Sequence, residues 1–183
     1  MLEPLEAGSA GTPMDGGHTG VRTRPPLLEF AMAKTVASRI GRHASVSYPN
    51  EACGFLLADD SPADLPTQTV IDALPAINAE SARPSSAFRI SAVESVRAER
   101  AAEGLGRRVV GFYHSHPDAP ARPSPEDSLQ AWPGHLHLIV SVGRTGVSDI
   151  RGFTVDERTL QPVPVRVGVV EGSGPPSDSD SEV

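Results

Sequence analysis

The chain has 183 residues and a mass of 19.2 kDa, a length that fits one domain, since compact domains cluster at about 100 to 200 residues. Its net charge is -7, and four of its acids, Glu171, Asp178, Asp180 and Glu182, fall in the last thirteen residues, which leaves the body near -3. This excludes a nucleic-acid binder working through a clustered basic face, and no apolar run approaches the roughly 20 residues of a membrane span.

The single cysteine, Cys53, excludes an intramolecular disulfide and a Cys-rich zinc cage. Any metal must therefore be held by histidines and carboxylates. Glu3 and Glu6 spoil the basic start of a signal peptide, so the cytoplasm is the expected compartment.

Residues 1–26 hold five glycines and four prolines with no sustained apolar period, and read as a flexible arm. From Leu27 the spacing of Leu28, Met32, Val36 and Ile40 predicts an amphipathic helix ending near Ser45. Cys53 to Ala58 and Gln68 to Leu74 read as two strands of a hairpin, joined through the turn-forming stretch Asp59 to Pro66. Ser86 to Ile90 reads as a further strand. After it, Ser91 and Glu94 stand at capping-box spacing and open a helix that closes near Gly104, with Val93 and Val96 turned inward.

Val109 to His114 reads as a strand, Ser124 opens a helix, and His135 to Val142, Ile150 to Val155 and Val163 to Val169 read as strands. Hairpins and short connections dominate, so the fold class is α+β, with helices flanking a mostly antiparallel sheet. The domain is expected over residues 27–168, and 169–183 as an acidic, solvated tail.

The chemistry concentrates in Gly111-Phe112-Tyr113-His114-Ser115-His116-Pro117 and Pro123-Ser124-Pro125-Glu126-Asp127. Residues i and i+2 of a strand share a face, so His114 and His116 can aim both rings at one point. Asp127 lies eleven residues beyond His116, enough chain to return a carboxylate from the first turn of the next helix. Two histidines and an aspartate suit zinc and leave its fourth tetrahedral position open, as in a catalytic site. The same ligand types would also suit a ferrous oxygenase.

Two further readings weigh on these residues. Ser124 is also a good N-cap, followed by Pro at the first helical position and an acid in the first turn. The pair His135 and His137 repeats the His-x-His spacing with no carboxylate at a convincing return distance, and reads as surface or hydrogen-bonded core histidines. Glu51, between the first helix and the first strand, is the available general base.

Taken together, Glu51, His114-Ser115-His116-Pro117 and Ser124-x-x-Asp127, with ten residues between His116 and Asp127, closely resemble the JAMM (MPN+) metalloprotease family. Glu51-Ala52-Cys53-Gly54-Phe55-Leu56 and Ala131-Trp132-Pro133-Gly134 resemble its short prokaryotic branch, although many relatives have Cys where Ala52 stands. The resemblance covers residues 27–168. It implies a JAMM/MPN-like (cytidine-deaminase-like) fold with a curved, mainly antiparallel sheet.

The resemblance further implies one catalytic zinc (Zn2+) on His114, His116 and Asp127, with Glu51 as the acid/base acting on zinc-bound water and Ser124 as a donor to the oxyanion. The implied partner is a ubiquitin-like or sulfur-carrier protein ending in Gly-Gly, with the bond after that Gly-Gly as the one cut. A carrier-cysteine adduct comes first as substrate, and an isopeptide to a target lysine second. A non-catalytic scaffold is the reading from a different class, disfavoured by the intact ligand set.

Overall fold

The computed structural model describes residues 29–60 and 67–171. The arm expected over 1–26, part of the Asp59 to Pro66 stretch and the tail from residue 172 lie outside these. The elements run β1 (Glu29–Ala33), α1 (Lys34–Ser47), β2 (Cys53–Asp59), β3 (Thr67–Val70), β4 (Asp72–Ala76), α2 (Ala92–Gly104), β5 (Arg107–Pro117), α3 (Pro125–Gln130), β6 (Leu136–Gly143), β7 (Gly146–Val155) and β8 (Pro162–Val170). Among the described residues no helix is long and apolar enough to cross a membrane.

One sheet carries the strands in the order β3-β1-β8-β7-β6-β5-β2-β4. The β2/β4, β2/β5, β6/β7 and β7/β8 pairs are antiparallel, whereas β1/β3, β1/β8 and β5/β6 are parallel. Bulges between Leu56 and Leu57 and between Ser141 and Val142 bend the ladder. The result is the curved, mainly antiparallel α+β sheet expected.

Alternation along the strands divides two cores. Leu56, Tyr113, Leu136, Leu138 and Val140 meet Val36, Ile40 and Ala44 of α1 on one face. Cys53, Phe55 and Ala76 meet Ala98 of α2 on the other, with Phe88 and Phe112 packed alongside. β5, between β2 and β6, thus has Tyr113 toward α1 and Phe112 toward α2.

Several expectations are corrected. The first helix starts at Lys34, because Glu29–Ala33 is drawn into the sheet between β3 and β8. Met32 reaches the same core from that strand as Val36 and Ile40 do from the helix, which is why the four-residue spacing ran on across the boundary. Gln68 to Leu74 splits: β4 forms the hairpin with β2, while β3 leaves to pair with β1.

Ser86 to Ile90 is not a ladder strand. The Asn78 side chain bonds it instead, donating from Nδ2 to Ala87 O (3.0 Å) and accepting at Oδ1 from Arg89 N (3.1 Å). On α2, Ser91 Oγ caps Glu94 N as the spacing implied, but Val93 and Val96 face solvent and the small Ala98 and Ala102 face inward. β8 continues to Val170, two residues past the expected boundary.

Gly111 is required by close approach: a Cβ there would lie 2.1 Å from Leu136 O of the parallel neighbour. Gly104 has nothing within 4 Å of the same position. Gly111→Ala is therefore expected to lower the unfolding free energy by at least about 2 kcal/mol, with Gly104→Ala within about 0.5 kcal/mol of wild type or slightly stabilising. Urea unfolding of the two variants checks this, and equal stabilities would contradict it.

Candidate metal centre

His114 and His116 leave β5 on the α2 side, two residues apart, and both are buried. Their Nε2 atoms are 3.1 Å apart. Asp127 completes the group: Oδ1 lies 3.3 Å from His114 Nε2 and Oδ2 lies 3.3 Å from His116 Nε2. Ligand atoms about 2.0 to 2.1 Å from a tetrahedral zinc are about 3.3 Å from one another; the two histidine nitrogens stand near that spacing, each faces a different Asp127 oxygen at it, and one donor atom from each residue lies within 4.8 Å of the others, a set that could hold such an ion. Among the described residues this is the one His/Cys/Asp/Glu group so arranged.

Neighbours fix each donor. His116 Nδ1 faces Pro120 O at 3.0 Å; a carbonyl can only accept, so Nδ1 carries the proton and Nε2 presents a lone pair to the centre. Phe88 stacks on His114 with ring centroids 4.4 Å apart. Asp127 is held by a capping box: Ser124 N donates to Asp127 Oδ2 (2.7 Å) and Asp127 N to Ser124 Oγ (3.1 Å). Helix capping and ligand placement are therefore one arrangement. With Oγ accepting from Asp127 N, the Ser124 hydroxyl proton is left to donate into the adjoining cavity.

The charges follow this geometry. Burial alone would raise the Asp127 carboxyl, but the two histidines facing it and the hydrogen bond from Ser124 hold it well below the usual carboxylate range. Burial lowers His114, against the pull of Asp127. At His116 burial acts the same way, yet Asp127 and the Pro120 carbonyl outweigh it and raise the imidazole.

Glu51 precedes β2 and is only 6 % exposed. Its position is set from both sides. Glu51 N donates to Pro84 O (2.7 Å), while Ala52 pairs with Ser115 through Ala52 N to Ser115 Oγ (2.8 Å) and Ser115 N to Ala52 O (2.9 Å). Burial pushes its carboxyl up to about 7, against the His116 charge and with help from Asp127 and Glu126. Glu51 Oε2 is buried with no hydrogen-bond partner among the described residues. A carboxylate oxygen left so is costly unless a water, ion or substrate proton reaches it.

Two cavities flank the centre. Glu51, His116, Arg122, Ser124 and Asp127 line one of about 310 Å³, together with Phe88 and Pro120. Phe88, Phe112, Trp132, His137 and Phe153 line another of about 190 Å³, which His114 and Asp127 wall on one side. The structure thus gathers all five sequence-derived residues, Glu51, His114, His116, Ser124 and Asp127, around one place.

His135 and His137 stay out of it. His137 Nε2 lies 3.2 Å from Trp132 N and its ring stacks on Phe112. The sequence reading passed over Ser115, Phe88 and the Pro120 carbonyl. Of these only Ser115 carried a signal, since alternation turns it away from the histidines and toward the strand that follows Glu51.

A family model described as "Prokaryotic homologs of the JAB domain" matches residues 33–155. The chain belongs to that family. It is the JAMM (MPN+) family of the motif, and the chain is a JAMM-type hydrolase. The desampylase of Haloferax volcanii is 39% identical over 108 residues, which cover 58% of this chain and 73% of that protein. Among solved structures, a protein of Desulfitobacterium hafniense superimposes with a TM-score of 0.67 at 25% identity, over 78% of this chain and 94% of that one. A protein of Salinibacter ruber gives 0.61 at 29% identity, over 79% and 94%.

For this JAMM centre, the purified protein is expected to bind one zinc per chain. His116→Ala should lose most of it and Glu51→Gln retain it, as read by elemental analysis after gel filtration. Equal zinc in His116→Ala and wild type would remove His116 from the centre.

Proposed function

We propose that this JAMM-family chain is a zinc-dependent peptidase that hydrolyses the amide bond following the C-terminal Gly-Gly of a ubiquitin-like or sulfur-carrier protein. The observation that carries the reading is the buried, unpartnered Glu51 carboxylate oxygen beside the His114, His116 and Asp127 donors. A ferrous oxygenase on the same donor types would have no use for such a base or for a serine hydroxyl at the cavity wall.

His114, His116 and Asp127 would hold a zinc ion, which would supply Lewis acidity at the centre. Glu51, whose carboxyl sits near neutrality, accepts a proton from the attacking water and delivers it to the departing nitrogen. The Ser124 hydroxyl donates to the carbonyl oxygen as negative charge grows on it. One water and one amide become a carboxylic acid and an amine, with Glu51 returned to its starting state.

For the acyl side, a ubiquitin-like protein ending in Gly-Gly has a tail without side chains at the reacting end, the form that passes most easily between α3 and the 78–86 segment. That segment is short and tied down at Asn78 and Glu80, which favours a small partner. The leaving group is either an amino acid joined to a carrier, such as cysteine, or the side chain of a target lysine. Similarity to a protein named desampylase supports the lysine, with a SAMP-type ubiquitin-like modifier as its partner. The cytoplasm belongs to the same proposal.

Two variants test the mechanism. Glu51→Gln is expected to keep its zinc yet lose about 10² to 10⁴ in turnover, and a rate near wild type would remove Glu51 from the reaction. Ser124→Ala is expected to cost about 10² to 10³ in kcat; a tenfold loss or less would leave Ser124 with capping alone.

A further inference from the structure

At the tip of its side chain Glu51 has little to orient it: Oε2 is buried and unpartnered among the described residues. Its direction must therefore come from the backbone that carries it. Glu51 N donates to Pro84 O (2.7 Å), and Glu51 O accepts from Asn78 Nδ2 (3.3 Å). Both backbone polar groups of the residue are thus tied to the segment that leads from β4 to α2.

Asn78 does more than close one of these bonds. The same Nδ2 donates to Ala87 O (3.0 Å), while Oδ1 accepts from Glu80 N (2.9 Å) and Arg89 N (3.1 Å). A side-chain amide has two N–H donors and one oxygen with two lone pairs, so all four capacities are filled. Two carbonyls at the nitrogen and two amides at the oxygen also fix which way the group points. An ionised Asp of the same size has no donor, and Ser has one.

This amide joins Glu51 on one side to a wall of the metal centre on the other. Phe88, between the residues that Asn78 holds at Ala87 and Arg89, stacks on His114 with ring centroids 4.4 Å apart. Asn78 lines neither cavity beside the donors, whereas Glu51, Ala87 and Phe88 line the larger. Any effect of Asn78 on a reaction there must pass through these neighbours.

We propose that Asn78 is the positioning residue of the general base, setting Glu51 against the metal donors through the Nδ2 bond to its carbonyl while touching neither donors nor substrate. This rests on the proposed hydrolysis and adds to it a residue outside the motif. A reacting group misplaced by about 1 Å costs about 10²-fold in rate, so the role shows in turnover rather than in binding of the carrier.

The test uses the full chain loaded with zinc and a Gly-Gly-ended sulfur-carrier protein carrying a C-terminal cysteine or joined to a lysine side chain, whichever wild type cleaves. Asn78→Ala removes all four bonds; Asn78→Asp keeps the shape and the accepting oxygen but loses both donors. In a variant that stays folded with one zinc per chain, kcat is expected to fall about 10- to 100-fold with KM within about threefold of wild type. Single-turnover rates with enzyme in excess then close a cycle. Added to Glu51→Gln, the same substitution should slow the residual reaction by less than about twofold, because a base already removed cannot be misplaced.

A wild-type kcat in the Asn78 variants, a loss confined to KM, or as large a loss in Glu51→Gln as in wild type would overturn the positioning role and leave the hydrolysis standing. Unfolding or loss of zinc in both variants would overturn it too, since Asn78 would then belong to the scaffold. Cleavage of neither substrate by the zinc-loaded wild type would overturn the hydrolysis itself, and the role of Asn78 with it.

Discussion

Burying a carboxylate oxygen without a hydrogen-bond partner is costly, and among the described residues Glu51 Oε2 is held in that state. Three separate elements meet to hold it. The 78–86 segment fixes its amide through Pro84, β5 fixes the next residue through Ser115, and the metal donors stand opposite. Low polarity brings its carboxyl up to about 7, where it can both take and give a proton. A better-solvated or salt-bridged Glu51 would be an ordinary acid.

The sheet supplies the precision for this arrangement. β5 lies inside the sheet, hydrogen-bonded on both edges, so the two-residue alternation that points His114 and His116 to one face cannot slip. Ser115, between them, points the other way and binds Ala52 next to Glu51, so one three-residue stretch aligns Glu51 with the two histidines. Gly111 lets β6 approach closely along the same strand. Asp127 joins the two histidines by a different device, the capping box of α3, in which the hydrogen bonds that start the helix also orient its carboxylate.

The local geometry of the motif residues was easier to read from the chain than the sheet around them. His-x-His on a strand and Ser-x-x-Asp at a helix start are local patterns whose geometry is set within a few residues, and the structure gives both as the spacing implied. Glu51 was reachable only through the motif as a whole, because its burial depends on residues more than thirty positions away. Glu29–Ala33 was misread because a strand and a helix feeding one core can share an apolar spacing. Ser86 to Ile90 has strand composition, but the Asn78 side chain and the Ala79 amide bond its backbone in place of a neighbouring strand. Val93 and Val96 misled for a packing reason: α2 lies close on the sheet through alanines, which leaves its valines outside.

Two cavities thus meet at His114, His116 and Asp127 on this face of the sheet, and Glu51 lines the larger of these two. The most direct test of a zinc peptidase here is intact-mass spectrometry of a Gly-Gly-ended sulfur-carrier protein bearing a C-terminal cysteine, incubated with zinc-loaded and with metal-stripped enzyme. Loss of the cysteine mass with the zinc-loaded enzyme, its absence after stripping and its return on adding zinc back are expected. Cleavage that persists unchanged in the stripped enzyme would contradict a metal-dependent mechanism at this centre.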